Sequence, residues 1–204
     1  MSELRDTPSM AVKSATPTRY SSVAIFLHWL MSIAVIGMLG VGLWMHELKN
    51  SPFKIELYTW HKWVGLTILM LAVVRLLWRV HRPPPPMPPM PRWQELAADG
   101  SHYLLYGLLF AMPTSGWLMN SAAGFPLTWF GLFKVPALLT RNKDAFEFWQ
   151  ETHELLAFAL IALICVHIAA AIKHHFIDRD NVLARMLPLV KPRKPAPAKV
   201  GAEP

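Results

Sequence analysis

Four stretches of the chain lack charge over lengths that matter for a membrane. Val23 to Met45 runs for 23 residues without Asp, Glu, Lys or Arg, and about 20 helical residues cross a hydrocarbon layer at roughly 1.5 Å each. A signal peptide has a shorter apolar core and a small-residue cleavage site, and neither is present. The second stretch, 56–79, carries Lys62 near its start and Arg75 near its end, positions from which long side chains snorkel toward headgroups. The third begins near Gly100 and stays uncharged to Phe133, too long for one helix. Gly116, Asn120 and Gly124-Phe125-Pro126 place its end near Ala122, leaving an apolar interfacial segment from Phe125 to Phe133, and Pro113 is expected to kink it. The fourth runs over 151–173. The pattern predicts an all-α membrane protein: an up-down bundle of four transmembrane helices, with spans at about 23–46, 56–79, 100–122 and 151–173.

Lys and Arg set its orientation. Three lie in residues 1–22, four between Arg75 and Asp99, and seven in 173–204, against six on the opposite side. Fourteen against six puts both termini in the cytoplasm. The segment Pro83 to Pro91 reads as a polyproline spacer. Residues 1–18 read as a flexible cytoplasmic extension, 19–187 as the membrane domain, and 188–204 as a disordered basic, Pro-rich tail held near anionic lipid.

Composition agrees: 53% of the residues are hydrophobic and 16% charged, against roughly a quarter charged in a soluble domain. A net charge of +7 reflects positive-inside anchoring, and nucleic acid is not an expected partner. One cysteine excludes a disulfide framework or a thiolate cluster within the chain.

Nine histidines in so apolar a chain are the unusual feature, because an intramembrane imidazole needs partners that lipid cannot supply. His153 and His167 lie 14 residues apart on the fourth helix, within roughly 40° of one face and about 21 Å apart along the axis. Each needs a partner at its own depth. With alternate helices antiparallel, His28 matches His167 at the inner level and His61 matches His153 at the outer level. Opposed imidazoles at two depths are what two stacked haems require, each iron taking one axial nitrogen from each of two helices. Zinc sites want three or four clustered ligands. A histidine-lined metal transporter would need carboxylates inside the membrane, and the spans have none away from their ends.

His102 competes with His28 opposite His167, its other use being a bond to a haem propionate or a substrate. His46 competes with His61 but stands beside Glu47 at the span boundary. His174 and His175 follow Lys173 at the inner surface. They form either an interfacial cationic cluster or, with His102, a quinone site that draws protons from the cytoplasm.

These residues also occur as a series: Arg19-Tyr20, His28-Trp29-Leu30, His61-Lys62-Trp63-Val64-Gly65, Arg75 and Arg79 before the proline loop, then Ser101-His102, Pro113 and Gly116-Trp117. His153-Glu154-Leu155-Leu156-Ala157, His167-Ile168-Ala169-Ala170-Ala171, His174-His175-Phe176 and Asp180 to Pro188 complete it. In this order they resemble the bacterial cytochrome b561 family, over most of the chain. The resemblance implies two non-covalent haem b groups, ligated by His28, His61, His153 and His167, in the bacterial inner membrane. It also implies electron transfer between the periplasmic face and membrane quinone, including oxidation of superoxide at the outer haem and reduction of ubiquinone. Lys62, nearest His61, would steer the small anion, and His102 and His174 would serve the quinone. The alternative is an electron-carrier subunit for a partner dehydrogenase or hydrogenase.

Overall fold

The computed structural model describes residues 19–190; the N-terminal extension and nearly all of the basic tail lie outside them. It contains four long helices, α1 Ser22–Glu47, α2 Pro52–His81, α3 Arg92–Ala123 and α4 Lys143–Phe176, with a short hairpin β1 Leu127–Trp129 and β2 Phe133–Val135 between α3 and α4. A single 3-10 turn, Leu183–Arg185, follows α4.

Three of these helices, α1, α2 and α4, are long and apolar enough to cross a membrane. The third is as long as its neighbours, but Ser101, His102, Thr114, Ser115, Asn120 and Ser121 dilute its apolar run. The helices extend past the expected spans because polar caps, not hydropathy, terminate them. Ser51 Oγ accepts from the Lys54 N–H with Pro52 at the first helical position, so α2 starts four residues earlier than its apolar stretch. Asn142 Oδ1 accepts from the Ala145 N–H at 2.9 Å and starts α4 eight residues early. α3 continues through Pro113 and closes on Gly124, whose φ of +78° only glycine adopts without strain.

The segment read as apolar and interfacial, Phe125 to Phe133, contributes to the antiparallel hairpin, with Leu127 opposite Val135 and Trp129 opposite Phe133. Two three-residue strands fall below what alternation along the sequence reveals. The hairpin is fastened to α2 by indole hydrogen bonds, Trp63 to the Thr128 carbonyl and Trp129 to Thr67 Oγ1.

The core is thin and central. Met31 and Val35 of α1, Ile68 and Ala72 of α2, and Leu160 of α4 are buried together, with Leu105, Leu108 and Phe110 of α3 packed against them. Outside it Phe26, Ile33, Leu77, Val166 and other large apolar side chains face outward, a girdle far beyond what a water-soluble surface carries. Backbones pack closely in the order α1 on α2, α2 on α3, and α3 on α4. The pairs α1–α4 and α2–α4 approach each other little by comparison, and Leu160 fills the space between them at mid-height.

Candidate haem-binding site

Across that slot the histidines meet. His153 and His167 are seven residues to either side of Leu160 on α4, so the three share one face, with Leu160 between the imidazoles. His61 of α2 lies opposite His153 with ring centroids 6.3 Å apart. At the other end His28 of α1 lies opposite His167 at 6.4 Å. A metal ion shared by two imidazoles, each bound through nitrogen at about 2 Å, holds their centroids about 6 Å apart. Both pairs have that separation, and both span the two helix pairs whose backbones approach each other little.

At the hairpin end, neighbouring groups orient the imidazoles. Ser115 Oγ donates to the Met112 carbonyl at 2.8 Å and lies 2.9 Å from His153 Nδ1. With its proton committed to Met112, the hydroxyl is an acceptor toward the ring. That fixes the proton on Nδ1 and leaves Nε2 with a free lone pair for a metal. A Cβ on Gly116 would come within 3.0 Å of His153 Cε1, and one on Gly42 within 3.4 Å of His61 Cε1; both rings lie against bare backbone. His61 Nδ1 is buried without a hydrogen-bond partner among the described residues, an orphaned polar atom in the slot.

Lys62 does not reach outward as a snorkelling side chain would. It is ten residues into α2, and its Nζ turns to Asn120 Oδ1 at 3.3 Å. Asn120 is itself buried and lines a cavity of about 250 Å³ under the hairpin, with Trp117, Phe125 and Lys134. His46 is exposed at the end of α1, 3.3 Å from Glu47, and is not brought to either pair.

At the other end a third imidazole joins the group, His102 of α3, with its centroid 5.8 Å from that of His167. Arg75 lies 3.4 Å from His28 Nδ1 and reaches the Ala24 carbonyl. Arg75 and Arg79 flank the Tyr106 ring at 5.9 and 5.6 Å. These three, with Tyr20, Trp78 and Arg82, line a cleft beside His28. His174 is held elsewhere: its Nδ1 lies 2.6 Å from Asp180 and 3.2 Å from Asp178.

Sequence reasoning named every histidine in the two groups but missed Ser115, Asn120 and the Arg79–Tyr106 stack. A serine and an asparagine in an uncharged span are polar groups that need partners, a signal that could have found the first two.

Comparison with known proteins places the chain in a family. The pattern of the prokaryotic cytochrome b561 family matches residues 19–189. The chain is 41% identical over 174 residues to cytochrome b561 homolog 2 of Escherichia coli, covering 84% of this chain and 93% of that one. It is 32% identical to cytochrome b561 homolog 1 of the same organism, over 83% of this chain and 97% of that one. It is 30% identical to a probable superoxide oxidase, CybB, of Yersinia pestis, over 83% of this chain and 96% of that one.

Proposed function

The chain belongs to the prokaryotic cytochrome b561 family, a family of haem-binding membrane electron-transfer proteins, and from that premise we propose that it is a dihaem, quinone-linked oxidoreductase of the bacterial inner membrane. The observation that carries the reading is the matched pair of imidazole pairs, 6.3 and 6.4 Å across, at the two ends of one face of α4. In this reading His61 and His153 hold one haem b, and His28 and His167 the other. Haem supplies one-electron chemistry that no side chain here can perform. The protein's own part is to position, shield and charge-balance. Ser115 keeps His153 in the ligating tautomer, Leu160 separates the two sites, and the apolar girdle keeps water out of the slot.

α3 is the fourth span, and the termini and the proline loop face the cytoplasm. Reporter fusions after Asn50 and after Arg141 are then expected to read as periplasmic, and fusions after Met87 and at the C-terminus as cytoplasmic. A cytoplasmic signal after Asn50 would invert the bundle and exchange the roles of its ends.

The electron donor at the hairpin end is superoxide, as the name of the Yersinia relative suggests. Lys62, next to His61 and held inward by Asn120, and Lys134 at the neighbouring cavity attract a small anion. The acceptor is ubiquinone in the cleft beside His28, where Arg75, Arg79 and Arg82 offset the negative charge that the ring gains and Tyr106 can donate a hydrogen bond. His102 binds a haem carboxylate or the acceptor. His174, hydrogen-bonded to Asp180, passes protons from the cytoplasmic side. In sum, two superoxide anions, one quinone and two protons yield two dioxygen molecules and one quinol.

Rapid mixing of the purified, haem-loaded protein with superoxide tests this reading. Haem reduction is expected within the mixing experiment, followed by reoxidation on adding a short-chain ubiquinone. A haem spectrum unmoved by superoxide but reduced by a partner dehydrogenase would establish the carrier-subunit alternative instead.

A further inference from the structure

The cleft beside His28 is roofed by parts of the chain that are remote in sequence. Pro84 of the proline segment and Met186, just after the 3-10 turn, line it together with Arg79 and Tyr106. One residue joins the two parts of the roof. Arg185 Nη2 donates to the carbonyls of Pro85 and Pro86 at 2.7 and 2.6 Å, and its guanidinium lies 5.8 Å from the Tyr20 ring. The turn is tied down further by Arg19, which donates to the carbonyls of Ala184, Leu187 and Val190, and by Trp29, whose indole donates to the Met186 carbonyl at 2.9 Å. With the roof in this position the free space beneath it is about 20 Å³, room for one water molecule. A quinone ring cannot occupy it.

The closed roof is also incompletely satisfied. Arg185 is only 9% exposed, and its Nε finds no partner among the described residues. Burial lowers the guanidinium's affinity for its proton, an effect opposed by Tyr20 and Asp180. Withdrawing a guanidinium N–H from water without a bond in return is costly, so opening recovers hydration for that group. The carbonyls it would release belong to a proline-rich strand. Such a strand forms no internal hydrogen bonds and is readily solvated, and its stiffness lets it move as a strut. Two charge-assisted bonds therefore hold the roof against a desolvation cost, the balance a reversible contact requires.

We propose that Arg185 is a latch: it pins the proline strut and the 183–186 turn together over the acceptor cleft, and a quinone headgroup gains the cleft when the latch releases. This rests on the reading of the cleft as the acceptor site. Arg185 is a positioning residue that touches neither haem nor quinone. It lowers the acceptor's apparent affinity by holding the binding-competent state at low population.

The test uses the full chain, purified with its haem, as Arg185→Ala and Arg185→Lys. Two measurements are made: hydroxyl-radical oxidation of Met186, and haem reoxidation against concentration of a short-chain ubiquinone. In Arg185→Ala, Met186 is expected to oxidise faster. The half-saturating quinone concentration is expected to fall about tenfold, what two charge-assisted bonds retain after the desolvation cost they offset, with an unchanged haem spectrum. Arg185→Lys, which keeps the charge and can donate to these carbonyls from its ammonium but lacks the planar guanidinium, should lie between. An unchanged Met186 rate, or a half-saturating concentration that rises, would overturn the latch, as would loss of haem in both variants, which would make Arg185 a residue of the fold. Tyr106→Phe separates the two ideas. If it shifts the quinone dependence and Arg185→Ala does not, the latch alone fails. If neither shifts it, the acceptor reading of the cleft fails and takes the latch with it.

Discussion

Replacing His61 or His153 with alanine is expected to strip one haem from the protein and leave the other in place. These rings face each other at 6.3 Å, at the opposite end of α4 from the second pair, with the buried Leu160 between the sites. An iron left with one strong axial bond is released or becomes high-spin, while the distant pair His28 and His167 keeps its own. His28→Ala and His167→Ala should show the complementary loss. Pyridine haemochrome analysis should therefore return two haems per chain for the unaltered protein and one for each variant, with the retained haem low-spin. His102→Ala is expected to keep both haems and to slow quinone reduction. Haem lost from His102→Ala but kept in His28→Ala would show that α3, not α1, supplies the partner of His167. Loss of both haems from all four variants would mean a folding defect in place of two separable sites.

The second large effect concerns a residue that ligates nothing. Gly116→Ala places a methyl group 3.0 Å from His153 Cε1 and 3.4 Å from Nδ1. The neighbour is a rigid ring, tied at Nδ1 to the Ser115 hydroxyl, so it cannot yield as a flexible chain end would. Two effects oppose each other. Alanine in a helix interior is favoured over glycine by about 1 kcal/mol, which stabilises α3. The displaced imidazole loses its alignment, and disturbing a group that supports a metal ligand costs about 10- to 100-fold in affinity. The expected result is a helix that melts no earlier, in a protein that has lost most of the haem held by His61 and His153. Ser115→Ala should act in the same direction with a smaller effect, since it removes the tautomer's anchor but not the space. Gly42→Ala, at 3.4 Å from His61, is the control expected to keep both haems. Circular dichroism and haem content, measured on the same samples, separate fold from site. A Gly116→Ala protein with full haem content would show that His153 has slack that the geometry denies it.

The helical, membrane-embedded character of the chain and the identity of its histidine ligand candidates are legible in the order of its residues alone. Hydropathy and periodicity are local properties, and 14 residues on one helix fix a face and a height whatever the neighbours do. Alternating helix direction then matched His28 with His167 and His61 with His153, because depth in an antiparallel bundle follows from position along each span. What surrounds those rings follows from how the helices pack. Ser115 against His153, Gly116 and Gly42 as bare backbone beneath imidazoles, and Lys62 turned toward Asn120 are contacts between helices, which no local pattern encodes. The hairpin was hidden because its strands are three residues long and are held by indole bonds to another helix. The cleft and its roof were hidden for the same reason on a larger scale. Arg185 meets Pro85 and Pro86 about a hundred residues away in sequence, and a guanidinium finds a carbonyl through the fold of the whole chain, not through spacing.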